Sequence, residues 1–184
     1  MTDQNYDGAL AEFSALRAEI DSRSKYQQQI LALQLTLTSA IFGLGLSKPV
    51  PIGLLMIVPL SSYLLCGRYI GQRSAIRWAS RYITEKLSPR VPGGLGWSRW
   101  VAENRRPDRL IDWYLPLMIC FPGASLLALG WTIDLVFLTH GRSGWATAGL
   151  IVVWLAGLLA TAACGLLVSR VFRDRGPAPL APSP

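Results

Sequence analysis

The chain has 184 residues and a formal net charge of +7; 51% of its residues are hydrophobic and only 16% are charged. Soluble globular proteins average about 25% charged residues, and here four long segments carry no charge at all: residues 26–47, 49–67, 113–133 and 143–169. Because a helix needs about 20 largely apolar residues to cross the hydrocarbon core of a bilayer, this pattern excludes both a compact soluble domain and a disordered polar chain.

The first predicted element is a cytoplasmic helix over residues 8–28 that runs directly into the first membrane span. One face of this helix is apolar, because large hydrophobic residues recur at three- and four-residue spacing: Leu10, Phe13, Leu16 and Ile20. This apolar stripe must be covered, either by the chain's own middle loop or by the same helix in a second copy, since it also approximates a short heptad seam. The acidic residues ahead of the first span predict a retained anchor rather than a cleavable signal peptide.

Four membrane spans are predicted, at about residues 29–46, 52–69, 113–138 and 145–171. Two prolines in the turn after the first span stop one helix and start the next. Pro116 and Pro122 lie inside the third span, where kinks are expected rather than breaks. The predicted fold class is therefore all-α: a polytopic membrane protein with four transmembrane helices in a single domain over residues 1–175. A proline-rich, disordered tail is expected at residues 176–184.

The distribution of the 18 basic residues predicts the orientation of the spans. All of them except Lys48 and Arg142 precede the first span, lie in the loop over residues 68–112, or lie at the end of the fourth span and beyond it. Basic segments stay on the cytoplasmic side of a membrane. We therefore expect both termini and the 68–112 loop in the cytoplasm, with the protein in a bacterial plasma (inner) membrane.

The 68–112 loop is rich in basic residues, which predicts a contact with anionic surfaces. Four of its arginines are expected to bind anionic lipid headgroups or, alternatively, a cytoplasmic protein partner: Arg77, Arg81, Arg105 and Arg106. Nucleic acid is a poor candidate partner, because these residues lie beside membrane ends. The start of the loop continues the second span as a helix, which either docks on the N-terminal helix or bends and lies on the lipid surface.

The first span is the most polar of the four, and its polar residues continue the apolar stripe that precedes them. Positions seven apart on a helix lie close to one face, and this face contains Phe13, Ile20, Gln27, Gln34 and Thr38. Polar side chains are costly in lipid, so the face must meet protein or water. We expect it to form the interface of a homo-oligomer or the wall of a pore, with Gln34 near the symmetry axis. Simple hydrogen bonding between helices is the alternative.

Residues that carry catalysis or bind metals are scarce in this chain. The three cysteines lie in separate apolar segments, lack a metal-ligand spacing and are interpreted as small buried hydrophobes: Cys66, Cys120 and Cys164. Asp134 is the only acid inside a predicted span, and its position near the outer end favours solvation at the interface over a proton relay. We therefore predict no catalytic, cofactor-binding or metal site, and a protein that is neither an enzyme nor a transporter.

The fourth span contains a regular series of glycines. Gly149, Gly157 and Gly165 repeat every eight residues, and small residues at regular spacing let helices approach closely. The series therefore predicts a helix contact, formed either within the chain or between two copies of it.

The arrangement of these elements resembles that of the small four-span membrane effectors of prokaryotic conflict systems. The similarity lies in the plan: a short inner helix, two tight outer turns and one basic inner loop. Two functions remain open, a self-associating inner-membrane protein that acts as a channel-like or membrane-perturbing effector, and a membrane scaffold or accessory subunit that docks a cytoplasmic partner. Whether the face of Gln27, Gln34 and Thr38 meets water discriminates between them.

Overall fold

The structure, a computed structural model, describes residues 2–47, 52–91, 100, 110–133, 136–137 and 144–173, and the structural statements below concern these residues. The elements that they form are all helical, and no strand occurs among them. The prediction of an all-α fold is therefore confirmed.

The described residues contain five α-helices: α1 (Thr2–Ser47), α2 (Ile52–Tyr82), α3 (Leu110–Met118), α4 (Ala124–Ile133) and α5 (Gly144–Arg173). α2 continues into a π-helical turn, Ile83–Leu87, and a 3-10 turn, Ser88–Arg90, and a second π-helical turn, Ile119–Gly123, joins α3 to α4. The 46 residues of α1 make about 69 Å of helix at 1.5 Å per residue. This length greatly exceeds the thickness of a bilayer core, which is about 30 Å.

Four helical segments among the described residues are long and apolar enough to cross a membrane: Asp7–Ser47, Ile52–Arg90, Tyr114–Ile133 and Thr147–Val171. Each predicted span falls on one of these segments, although the outer end of the third predicted span lies partly outside the described residues. The chain therefore has the architecture of a multi-pass membrane protein.

The chain divides into two compact units. The extension unit comprises residues 1–30 and 71–109, and the bundle comprises residues 31–70 and 110–184. α1 and α2 are each longer than a membrane span requires, and each contributes one part to the extension unit and the other part to the bundle. The single domain over residues 1–175 stays a prediction.

Packing inside the extension unit covers the apolar stripe of α1 except for Leu10, which is 37% exposed. Ala9 of α1 is buried together with Ile83, Leu87 and Val91. Three residues of the stripe pack against this cluster: Phe13, Leu16 and Ile20. The cover is therefore the chain's own middle segment, the first of the two alternatives. Complete burial of a leucine such as Leu87 contributes about 1.5–3 kcal/mol to stability.

In the bundle, contacts at two levels fix the relative direction of α1 and α2. Gln34 of α1 is hydrogen-bonded to Ser62 of α2. Further along α1, Ile41 belongs to a buried cluster that includes Val58 of α2. Because residue numbers rise along α1 while they fall along α2, the two helices are antiparallel.

The third span runs in the same direction as α1. Gln34 is hydrogen-bonded to the backbone of Cys120, and further along both segments the ring of Phe42 stacks on that of Trp131 with centroids 6.1 Å apart. Residue numbers therefore rise together along the two segments.

α2 and α5 are parallel neighbours. A Cβ added at Gly157 of α5 would lie 3.4 Å from Cβ of Pro59, and seven residues further along both helices the side chains of Cys66 and Cys164 lie close together. The equal spacing of the two contacts sets α2 and α5 in the same direction, as expected for the second and fourth helices of an up-down-up-down bundle.

The third span is helical through both of its prolines, so the expectation that neither breaks the span is confirmed. Pro116 lies inside α3, and Pro122 lies in the π-helical turn that follows it. Turns of this kind are a recognised cause of helix kinks. A Cβ added at Gly123 would lie only 3.0 Å from the carbonyl oxygen of Met118, so a residue without a side chain suits this turn.

The parallel arrangement of α2 and α5 agrees with the charge-based orientation, in which the ends of both helices face the cytoplasm. We expect cysteines introduced at Lys48 and Ser143, in a cysteine-free background, to react with an impermeant thiol reagent added outside intact cells. Cysteines introduced at Ser88 and Ser183 should react only after the membrane is opened. The reverse labelling pattern would overturn the orientation.

Candidate functional site

Gln34 is the largest polar side chain that the described residues bury completely, with 0% of its surface exposed. Its amide nitrogen Nε2 donates to the hydroxyl of Ser62 at 2.7 Å. It also lies 3.2 Å from Thr38 Oγ1 and 3.3 Å from the backbone carbonyl oxygen of Cys120. An amide group has only two hydrogens to donate, so these three contacts cannot each have a hydrogen of their own. The Gln34 side chain thereby joins α1 to α2 and to the third span.

The π-helical turn explains why the carbonyl of Cys120 is available to a side chain. In a regular α-helix the backbone N–H of Ala124 would donate to this carbonyl. Here the same N–H donates to the carbonyls of Ile119 and Phe121 instead. The Gln34 amide takes the place of the missing helical donor, which matters because an unpaired carbonyl is costly where no water is present.

The amide oxygen of Gln34, Oε1, is buried and has no donor among the described residues. Every hydrogen bond described for this side chain is therefore made through Nε2. A buried acceptor without a partner costs about 1–3 kcal/mol, which offsets part of the stabilisation from the bonds that Nε2 makes.

The five residues of the predicted assembly face divide between the two units. Phe13 and Ile20 pack against the core of the extension unit. Gln34 is enclosed in the bundle. Gln27 and Thr38 are half-buried. Groups of the same chain surround the Gln34 amide, and its expected position near an axis between copies stays a prediction. Formation of a homo-oligomer stays a prediction.

Two cysteines that the sequence places in different spans meet inside the bundle. Cys66 and Cys164 are buried, and their side chains lie close together. Sequence reasoning missed this pair, because the contact depends on α2 and α5 being parallel neighbours. In the described ranges, no group of three or more His, Cys, Asp or Glu side chains is arranged to hold a metal ion.

Polar contacts hold the continuation of α2 against the N-terminal helix. The Tyr82 hydroxyl donates to the Glu12 carboxylate at 2.6 Å, and Arg23 donates to the Gln72 side chain at 3.0 Å. The hydrogen bond to Glu12 raises the pKa of Tyr82. Of the two predicted positions for this segment, docking on the N-terminal helix is confirmed.

Two of the four predicted contact arginines lie on an exposed part of α2, where they flank an aromatic side chain. Trp78 is 65% exposed, and the guanidinium of Arg81 lies 5.3 Å from the centroid of its ring. Arg81 also approaches Glu85 at 3.7 Å, a surface ion pair of small energetic value. Arg77 is exposed next to Trp78. We call Arg77, Trp78 and Arg81 the basic-aromatic face.

Three of the predicted site residues lie outside the described residues: Arg105, Arg106 and Asp134. Sequence reasoning in turn missed Ser62 and the Cys120 carbonyl as partners of Gln34. The signal for Ser62 was a pair of serines inside an otherwise apolar span. The sequence carries no direct signal for the Cys120 carbonyl, because the N–H that Pro122 lacks would in a regular helix donate to the carbonyl of Met118.

No protein-family model matches the chain, and neither a curated protein nor a solved structure matches it.

Proposed function

We propose that the chain is a non-enzymatic membrane scaffold that docks a cytoplasmic protein through its extension unit. In this proposal the bundle serves as the anchor in the membrane. The basic-aromatic face is the docking surface, and its partner presents an acidic patch with room for an aromatic ring.

The observation that carries this proposal is the exposure of Trp78. The segment that follows Trp78 places Ile83 and Leu87 in the core of the extension unit, so the apolar residues needed for packing are already supplied. Trp78 nevertheless projects outward beside two arginines. Tryptophan and arginine are the residue types most enriched among those that dominate the binding energy of protein interfaces.

The enclosure of Gln34 supports a scaffold over a channel-like effector. A pore wall would need the polar face of the first span to meet water. The most deeply placed amide of that face is instead sealed by Ser62, Thr38 and the Cys120 carbonyl of the same chain. Hydrogen bonding between helices of one chain, the alternative to a pore or an oligomer interface, is therefore enough to explain Gln34 in the first span.

The test uses the full-length chain in its native membrane, with a photo-crosslinking amino acid in place of Trp78. Ser80 provides the matched control, because it is exposed on the same helix but two residues away, where side chains do not face each other. We expect position 78 to cross-link to one protein of a different mass, position 80 not to, and the double substitution Arg77→Gln and Arg81→Gln to reduce the yield at position 78 severalfold.

Other cross-linking results would overturn the proposal. Capture of lipid alone at position 78 would assign Trp78 and its arginines to the membrane surface. Capture of a second copy of the chain would favour the self-associating effector. Equal yields at positions 78 and 80 would show that the basic-aromatic face has no specific partner.

A further inference from the structure

We propose that the groove between α2 and α5 binds a phospholipid with an anionic headgroup, with the phosphate on Arg68 and an acyl chain along the apolar wall. This site is separate from the basic-aromatic face, and the inference does not depend on the proposed scaffold function.

The groove has a volume of about 580 Å³, within the range of about 300–1,000 Å³ that is usual for sites that bind small molecules. It is lined by Tyr63, Leu64, Leu65, Gly67 and Arg68 of α2 and by Leu167 of α5. The lining is thus almost entirely apolar, with a single cationic side chain. This combination matches a ligand with a hydrocarbon part and one negative group.

The packing of the two helices explains why a groove forms beside their contact. α2 and α5 meet closely where Gly157 approaches Pro59 and again where the thiols of Cys66 and Cys164 meet. The next residue, Gly67, has no side chain, and a Cβ added there would meet no atom within 4 Å. The open space at Gly67 therefore lies directly beside a tightly packed contact.

The charge at the groove is uncompensated within the described part of the chain. Arg68 is exposed, and none of the ion pairs among the described residues includes it. Arg170 follows Leu167 by three residues on α5, so it lies on the same helical side, and it too is exposed. Arginine is well suited to phosphate, because its planar guanidinium makes two parallel hydrogen bonds with the oxygens.

The position of the groove in the chain selects a lipid as the occupant. Its walls belong to two helical segments that are long and apolar enough to span a membrane, Ile52–Arg90 and Thr147–Val171. Arg68 ends an uncharged segment of 19 residues, 49–67, and so marks the transition from hydrocarbon to headgroups. An acyl chain with an anionic headgroup crosses the same boundary, and basic residues there attract anionic lipids.

The charge part of the proposal is tested by native mass spectrometry of the full-length chain in detergent. Phosphatidylglycerol and phosphatidylcholine with identical acyl chains are added in equal amounts, and the retained lipids are counted. We expect the wild-type chain to retain the anionic lipid preferentially. Arg68→Gln should lower this preference about fivefold, the factor that corresponds to about 1 kcal/mol per basic residue at an anionic surface. Arg17→Gln, which removes an exposed arginine of α1, is the matched control.

A second experiment tests whether the lipid occupies the open space at Gly67, by filling that space with a side chain. Gly67→Leu should reduce retention of both lipids severalfold, whereas Gly53→Leu, at another open position of α2, should leave it at the wild-type value. Both variants add a side chain in open space, so both should keep the wild-type unfolding temperature. Equal lipid preference in the wild-type chain and Arg68→Gln would overturn the proposal. Conversion of a dimer to a monomer by Gly67→Leu, without a change in bound lipid, would assign the groove to a second copy.

Discussion

Replacing Gly157 with leucine should lower the free energy of unfolding of the bundle by about 3 kcal/mol, toward the upper end of what overpacking a core costs. Even the first carbon of a side chain at Gly157 would lie 3.2 Å from Leu129 Cδ2 and 3.4 Å from Pro59 Cβ. α5 would therefore have to move away from both α4 and α2. Reversible unfolding in mixed micelles, followed by circular dichroism, measures the change.

The control for this experiment is Gly149→Leu, at a glycine of the same helix and the same eight-residue series. A Cβ added at Gly149 would meet no atom within 4 Å, so we expect a change of less than about 0.5 kcal/mol, as for other surface substitutions. If both variants unfolded like the wild-type chain, the close approach of α5 to Pro59 and Leu129 would be refuted.

Gln34→Ala should destabilise the bundle by about 3 kcal/mol, and Gln34→Leu by about 1 kcal/mol. Both variants remove the hydrogen bonds to Ser62 and Cys120, which are worth about 0.6 kcal/mol each on average in membrane proteins. Alanine also leaves a cavity, which adds to the cost. Leucine fills most of the space and removes the orphaned oxygen Oε1.

Gln29→Ala is the matched control for Gln34→Ala, because Gln29 is exposed on the same helix; its unfolding free energy should stay within about 0.5 kcal/mol of the wild-type value. Planar-bilayer recordings on the wild-type chain and Gln34→Leu complete the test. A wild-type current that vanishes in Gln34→Leu would revive the pore interpretation. Loss of stability without any current in either protein is the result that we expect.

The number and positions of the spans could be predicted because they depend on composition alone. Four uncharged segments have to find an apolar solvent wherever they are, and the structure has a suitable helix at each of them. The sequence does not identify which group packs against a given helix face. The seven-residue spacing identified the face of Gln34, but a neighbouring helix of the same chain, a second copy or water would each satisfy it.

Hydrogen bonds from a side chain to a backbone carbonyl also could not be predicted from the sequence. Ser62 is visible in the sequence as a polar residue in an apolar segment, whereas the other acceptor of Gln34 is a main-chain oxygen. That oxygen is released by a local change in helical hydrogen bonding. Pro122 signals an irregularity in the third span, but the carbonyl that its missing N–H would release in a regular helix is that of Met118, not that of Cys120.

The glycine series of α5 predicts a close helix contact at three positions, but the structure has one at a single position. Eight residues rotate a helix by about 80° beyond two full turns, so successive members of the series point in different directions. Gly157 alone of the three meets atoms of neighbouring helices within 4 Å, whereas Gly149 and Gly165 face open space. The prediction of a close helix contact holds at one position.

The parallel contact between α2 and α5 also has a consequence for biosynthesis. Gly157 follows Pro59 by about 100 residues, which a ribosome translating about 5–20 residues per second needs about 5–20 s to add. During that interval the surface around Pro59 and Cys66 has been synthesised but its partner has not. A nascent chain that stalls before α5 therefore leaves the surface around Pro59 and Cys66 without the helix that packs against it.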